Sequence, residues 1–235
     1  MSDMKSLPIV LIPGLACTAR LYTGQMPALG TFGPITVADH RRADHVDTIA
    51  RQILDNAPRR FALAGLSMGG YIALAIMRIA PERVAKLALL DTGSRSDTPE
   101  QTERRKAQIA MAQNGQLEAI NDILWPLLVH AERKDDAALK AVVTEMSLMS
   151  GAEAFVRQQQ AIMTRPDSRP FLPAITCPTL VLVGDGDQLT PPHLAEEMAS
   201  LIPGSRHVVV RNCGHLSTLE QPEFVTKTLM EWMKI

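Results

Sequence analysis

Six short, predominantly apolar runs punctuate the chain: Pro8 to Ile12, Ile35 to Ala38, Phe61 to Ala64, Leu87 to Leu90, Thr179 to Val183 and His207 to Val210. Within them apolar residues follow one another without regular polar alternation, the pattern of strands covered on both faces. Between them, Val46 to Asn56, Met68 to Ile79, Pro192 to Ile202 and Pro222 to Met233 place apolar residues at helical spacing. Strands alternating with helices imply right-handed crossovers and a parallel sheet.

The alternation stops between Gly93 and Pro173. Here the spacing is helical throughout and predicts helices over Glu100 to Asn114, Gln116 to Val129, Asp136 to Met149 and Ala152 to Thr164. Pro99, Gly115, Asp135-Asp136 and Gly151 separate them, and Pro166, Pro170, Pro173 and Pro178 form a stiff return. A chain of 235 residues accommodates one large domain with such an insertion. The expected division is a core of residues 1–93 and 173–235 with a helical lid, or cap, of residues 94–172.

Charge and composition then narrow the class. The formal net charge is −1, with no basic stripe to neutralise phosphates, so no nucleic-acid partner is expected. No apolar run approaches the ~18 residues of a membrane span, so no membrane association is expected. Cys17, Cys177 and Cys213 show no paired spacing and fit a reducing compartment. Lys5, the apolar stretch Leu7 to Ile12 and Gly14-Leu15-Ala16-Cys17 faintly resemble a lipoprotein signal, but Pro8 and Pro13 break the apolar stretch. A cytoplasmic location is expected. No Cys/His cluster has metal-ligand spacing, so no metal is predicted.

The candidate chemistry begins at Phe61-Ala-Leu-Ala-Gly-Leu-Ser-Met-Gly-Gly-Tyr71. A strand runs into Gly65-Leu66-Ser67-Met68-Gly69 and a helix follows at once, which lifts the Ser67 hydroxyl clear of the sheet. The N–H of Met68 then sits at a helix N-terminus, where it can receive an oxyanion. Cys17, the other candidate nucleophile, lies in a loop and opens no helix. A serine needs a base, and the base an orienting acid. Ligands of open parallel sheets bind at the carboxyl ends of strands. Of six histidines, His215 follows the last strand at that end; His207 begins it, His40 precedes the serine, and His45, His130 and His193 fall in helices or at their edges. In the loop Gly184-Asp185-Gly186-Asp187, Asp185 suits a turn role and Asp187 lies far enough out to reach the histidine loop. Asp91 also follows a strand and is the alternative acid. Ser67, Asp187, His215 is then the chain order of the triad.

These residues carry a family likeness over nearly the whole chain. Ile12-Pro13-Gly14-Leu15, Gly65-Leu66-Ser67-Met68-Gly69-Gly70, Gly184-Asp185-Gly186-Asp187, Gly214-His215-Leu216 and Leu219-Glu220-Gln221-Pro222 resemble the α/β-hydrolase superfamily, in particular its small lidded esterase, lactonase and haloperoxidase-like serine hydrolases. The resemblance implies an α/β fold with eight strands in the fuller members. Only seven residues precede the first predicted strand, leaving no room for the usual opening hairpin, so six parallel strands are expected. It also implies a second oxyanion donor at the N–H of Leu15. Pro13-Gly14 stands where the family usually has His-Gly, and Asp39-His40-Arg41-Arg42-Ala43-Asp44 replaces the common Asp-x-Arg-Gly-x-Gly loop.

The expectation is a serine hydrolase that cleaves a small carboxylic ester, thioester or lactone through an acyl-enzyme, with no cofactor. Carbon–carbon bond hydrolases and perhydrolases share the triad, and a non-catalytic small-molecule binder shares the fold. Among lid residues, Trp125 is the first candidate to line the acyl site, with Met146, Met149, Phe155 and Met163 beside it. Arg104, Arg105, Arg133, Arg157 and Arg165 are candidates to meet a substrate carboxylate or to form solvated helix faces.

Overall fold

The computed structural model describes residues 6–235. Lys5, part of the signal-like stretch, and the other residues at the start of the 1–93 segment lie outside the described residues. Six strands, β1 (Ile9–Ile12), β2 (Ile35–Val37), β3 (Phe61–Leu66), β4 (Val84–Leu90), β5 (Thr179–Gly184) and β6 (Arg206–Val210), form one sheet in the spatial order β2-β1-β3-β4-β5-β6. Every pairing is parallel. The order reverses between β1 and β3, which creates a crevice at the carboxyl ends of those strands.

All six predicted strands are present. β3 runs through Gly65 and Leu66, two residues past the expected Ala64, because Gly65 is paired on both sides, with Ile12 and with Leu89. Alternate residues of β1, β3, β4 and β5 enter opposite cores, as the pleat dictates. Val10, Leu63, Leu89 and Val181 pack on one face, while Leu11, Ala64, Leu90 and Leu182 pack on the other. Both faces of these four strands are buried, which is why their runs read as continuously apolar, while the edge strands β2 and β6 are partly exposed.

Ten α-helices accompany the sheet among the described residues. They are α1 (Met26–Leu29), α2 (Val46–Asn56), α3 (Met68–Ile79), α4 (Pro99–Gln113), α5 (Leu117–Leu128), α6 (Ala137–Ser150), α7 (Ala152–Met163), α8 (Pro192–Leu201), α9 (Ser217–Glu220) and α10 (Pro222–Lys234). α2, α3 and α8 bury Ile49, Ile72 and Met198 against the first face. α1 and α10 bury Leu29 and Trp232 against the second. α4 to α7 fall between β4 and β5 and add no strand to the sheet. α4 starts sharply because Thr98 and Gln101 form a reciprocal capping box ahead of Pro99. The one-turn helix α9, which sequence periodicity is too short to register, follows the His215 loop directly. No described helix is long and apolar enough to cross a membrane.

Candidate active site

Ser67 is the residue between β3 and α3, and the geometry of that junction is unusual. Its φ is 55° and its ψ −116°, a conformation that non-glycine residues adopt at some cost. The turn is tight enough that a Cβ at Gly65 would run into the Gly69 backbone, and one at Gly69 into the carbonyl of Ile12. Short hydrogen bonds hold the strained peptide. The Ser67 N–H donates to Leu90 O at 2.9 Å, and Ser67 O accepts from Thr92 Oγ1 and from the Gly70 N–H, both at 2.8 Å.

The carboxyl ends of the next strands deliver the rest of the constellation. His215 Nε2 lies 2.8 Å from Ser67 Oγ, and His215 Nδ1 lies 2.8 Å from Asp187 Oδ2. Asp187 is saturated with donors. Its Oδ1 accepts the N–H groups of Leu189 and Thr190, each at 2.9 Å, and its Oδ2 accepts the Thr190 hydroxyl at 2.7 Å. With Nδ1–H turned to the carboxylate, Nε2 is free to accept from the serine. Burial by itself would raise the Asp187 pKa, but the facing His215 and these donors outweigh it and hold the carboxyl below its ordinary range. Burial likewise works against the imidazolium, yet the Asp187 charge prevails and the pKa of His215 is raised.

Asp91 occupies a different role. Its Oδ1 accepts the Gly184 N–H at 3.0 Å and its Oδ2 bonds Ser217, so it ties the ends of β4 and β5 to the histidine loop and makes no bond to the imidazole. Burial, with the Asp187 charge second, pushes its pKa up to about 8. Asp185 accepts the Cys213 N–H at 3.1 Å, a bond across to the histidine loop in place of the local turn role its position suggested. The Cys17 thiol is pushed up to about 12 by burial, which leaves it protonated near neutral pH.

Two residues to which the sequence assigns no role hold the loops in place. Glu220, buried on α9, accepts the N–H groups of Gly214 at 3.0 Å and Leu216 at 3.1 Å, which flank His215, and of His130 at 2.8 Å. The motif Leu219 to Pro222 was the available signal for it. Gln158 of α7, fully buried, accepts the Ala16 N–H at 3.0 Å, while His40 Nε2 lies 3.0 Å from Gly14 O. Both steady the segment that contains Leu15. A Cβ at Gly14 would stand 3.5 Å from Ser67 Cβ, so this segment runs directly beside the serine. The N–H groups of Leu15 and Met68 donate to no protein acceptor among the described residues.

A cavity of about 550 Å³ opens onto Ser67 and His215. Leu124, Leu127 and Leu128 of α5 and Phe155 of α7 supply apolar wall, and Arg104, Arg105 and Arg165 reach it. Trp125 does not, which corrects the expectation for it. Its indole is buried in the same apolar cluster as Leu139, Val143 and Met146, and its Nε1–H donates to Lys134 O at 2.7 Å. Met146 is buried in the same cluster, Met149 is exposed, and Met163 is not on the wall. Arg133 bonds Asp136 and Arg157 bonds the carbonyl of Arg41, both away from the cavity.

The comparisons with known proteins agree with this architecture. The model of the alpha/beta hydrolase family matches residues 9–228. BpoC of Mycobacterium tuberculosis, named as a non-heme bromoperoxidase, is 31% identical over 186 residues, which cover 77% of this chain and 70% of the relative. A thermophilic esterase from Thermogutta terrifontis superposes with a TM-score of 0.88 at 30% identity, over 97% of this chain and 89% of that one. The enol-lactonase of Burkholderia xenovorans LB400 shares the fold, with a TM-score of 0.90 at 24% identity over 98% and 92% of the two chains.

Trp125→Ala is expected to destabilise the fold by roughly 3–5 kcal/mol, as loss of a buried indole does. Chemical denaturation measures it, and a cost below about 1 kcal/mol would place the side chain outside the packed cluster. Asp91 binds its proton more tightly folded, at about 8, than in an unfolded chain, at about 3.9. Its contribution to stability is therefore full below about pH 4 and is lost as pH rises toward 8. Asp91→Asn is expected to flatten the unfolding free energy across that window, and an unchanged slope would assign the titration elsewhere.

Proposed function

Because the chain belongs to the alpha/beta hydrolase family, we propose that it is a serine hydrolase acting on a small carboxylic ester, thioester or lactone through an acyl-enzyme. The observation that carries this reading is the unbroken relay Asp187, His215, Ser67, with both links at 2.8 Å. In the proposed reaction Ser67 Oγ attacks the substrate carbonyl while Nε2 of His215 takes its proton. The N–H groups of Met68 and Leu15 receive the oxyanion, and each such donor is worth roughly 3–4 kcal/mol in comparable sites. His215 passes the proton to the leaving oxygen or sulfur, and the same base then activates water against the acyl-enzyme. Asp187 keeps the imidazole in the required tautomer and stabilises its cation.

The α4 to α7 segment, residues 94–172, serves in this reading as the lid. Its contribution of Leu124, Leu127 and Phe155 to the cavity supports a role in selecting the acyl part. The 30% identity to an esterase favours an ester among the three carbonyl classes.

A fluorophosphonate probe is expected to label the parent at Ser67 and to leave Ser67→Ala unlabelled. Ser67→Ala is expected to lower kcat by about 10⁶ and Asp187→Asn by about 10⁴, with far-UV circular dichroism unchanged. Full esterase activity in purified Ser67→Ala protein would refute the nucleophile. His215 must be neutral to accept the serine proton, and its pKa is raised. The acid limb of kcat/KM in the free enzyme is therefore expected to fall above the ordinary histidine value of about 6.5. In a pH–rate profile, a midpoint below that value would mean that the Asp187 charge does not govern the base.

A further inference from the structure

The wall of the cavity beside Ser67 includes Arg95, Arg104, Arg105 and Arg165 and not one aspartate or glutamate. Two carboxylates behind the wall answer part of this charge. Glu197 pairs with Arg95 at 2.7 Å. Asp97, almost fully buried, stands between two guanidinium groups, 2.7 Å from Arg105 Nε and 2.7 Å from Arg165 Nη1. One acid thus serves two cations whose side chains are only 14% and 8% exposed. Arg104 has no ion pair among the described residues. Arg104 is exposed to solvent, but Arg105 and Arg165 together carry one positive charge more than Asp97 answers, and a charge held that deep is costly unless an anion joins it.

The cations are also held ready. Arg105 gives Nε and one N–H of Nη2 to Asp97 and one N–H of Nη1 to Gln159 Oε1, and Gln159 is fixed in turn by Gln108. Of five guanidinium protons, one on each Nη is left over to donate to a further acceptor. Arg165 stacks on the ring of Tyr71, 4.3 Å from its centroid, on the first turn of the helix that begins after Ser67. Asn121 Nδ2 and Ser147 Oγ, on residues of the same cavity wall, are buried with no hydrogen-bond partner. An apolar acyl chain alone would leave all of these groups unmatched.

We propose that the cavity takes a carbonyl substrate bearing a second, distant carboxylate, received by Arg105 with Arg104 and Arg165 supplying the surrounding charge. This rests on the hydrolase reading above for turnover, but not for binding. No atom of the carboxylate takes part in bond making; it orients the substrate while Ser67 attacks the far carbonyl.

The test compares methyl half-esters of succinate, glutarate, adipate and pimelate with methyl alkanoates of matched length, by methanol release. At least one half-ester is expected to exceed its alkanoate partner in kcat/KM by about tenfold or more, as a charge-assisted contact implies. Arg105→Met is expected to lower kcat/KM for that half-ester far more than for the alkanoate, chiefly through KM. A loss equal for both esters would mean that Arg105 serves only the fold, and parity of the two in the parent would overturn the proposal. Arg104→Met, which breaks no ion pair, provides the same comparison if Arg105→Met fails to fold. Calorimetry of Ser67→Ala protein with the free dicarboxylates separates the two readings. Binding that weakens with salt, in a parent that cleaves no ester and takes no fluorophosphonate, would retain the anion site and reject the hydrolase. Absence of any dicarboxylate binding, in a parent that does hydrolyse alkanoates, would do the reverse.

Discussion

The backbone at Ser67 is the constraint from which the site follows. A φ of 55° with ψ −116° costs on the order of 1–3 kcal/mol, and it persists only where the surroundings over-determine it. Here β4 supplies the determination: Leu90 O takes the serine N–H, and Thr92, two residues on, donates to the serine carbonyl. The chain can therefore turn from β3 into α3 without an intervening loop, which puts the hydroxyl above the sheet edge and the Met68 N–H beside it. The close approach of α3 to β1 that excludes any side chain at Gly69 also brings the Pro13 to Cys17 segment next to the serine. The placement of the Ser67 hydroxyl, of the Met68 and Leu15 N–H groups and of the cavity floor follows from one junction.

Four buried carboxylates near this junction are handled in four ways, and the differences separate chemistry from architecture. Asp187 is surrounded by donors and a histidine, and stays charged. Asp91 sits deeper, faces the Asp187 charge, and is driven toward its neutral form near pH 8 and below. Glu220 spends both oxygens on backbone N–H groups that shape the histidine loop. Asp97 is shared between two arginines. A carboxylate bound to an imidazole orients a base, whereas one bound to amides orients a loop. Asp91 and Asp187 both follow strands, and it is these partners, rather than their position in the chain, that tell them apart.

Much of this was legible in the chain. Buried parallel strands announce themselves as short Val, Ile and Leu runs, and their carboxyl ends place Ser67, Asp187 and His215 in the order the fold uses. The inserted helices were legible as helices but not in their orientation. α5 is apolar on more than one side, so periodicity does not reveal that Leu124 and Leu128 face the cavity while Trp125 turns away toward α6. Gln158 was invisible for a related reason. A glutamine in a helix that also carries Arg157, Gln159 and Gln160 reads as a solvated face, and only the fold shows it buried against the backbone of Ala16.

That buried glutamine bears on how the inserted helices and the sheet cooperate. Gln158 belongs to α7, yet its Oε1 holds the N–H of Ala16, a residue at φ 56° directly after Leu15. At the far end of the insertion, the His215 N–H donates to Leu128 O at 3.0 Å, at the end of α5, and Glu220 reaches the N–H of His130. The inserted helices thus bond the backbone on both sides of the serine, one contact beside Leu15 and the other at the histidine. A helix that moved away from the cavity mouth would leave a buried amide or carbonyl unpaired at each of these points, a cost of about 1–3 kcal/mol per group. The geometry at Ser67 and the position of the helices above it are therefore not independent. Whatever fills the cavity and steadies the helices also steadies the loop next to the serine.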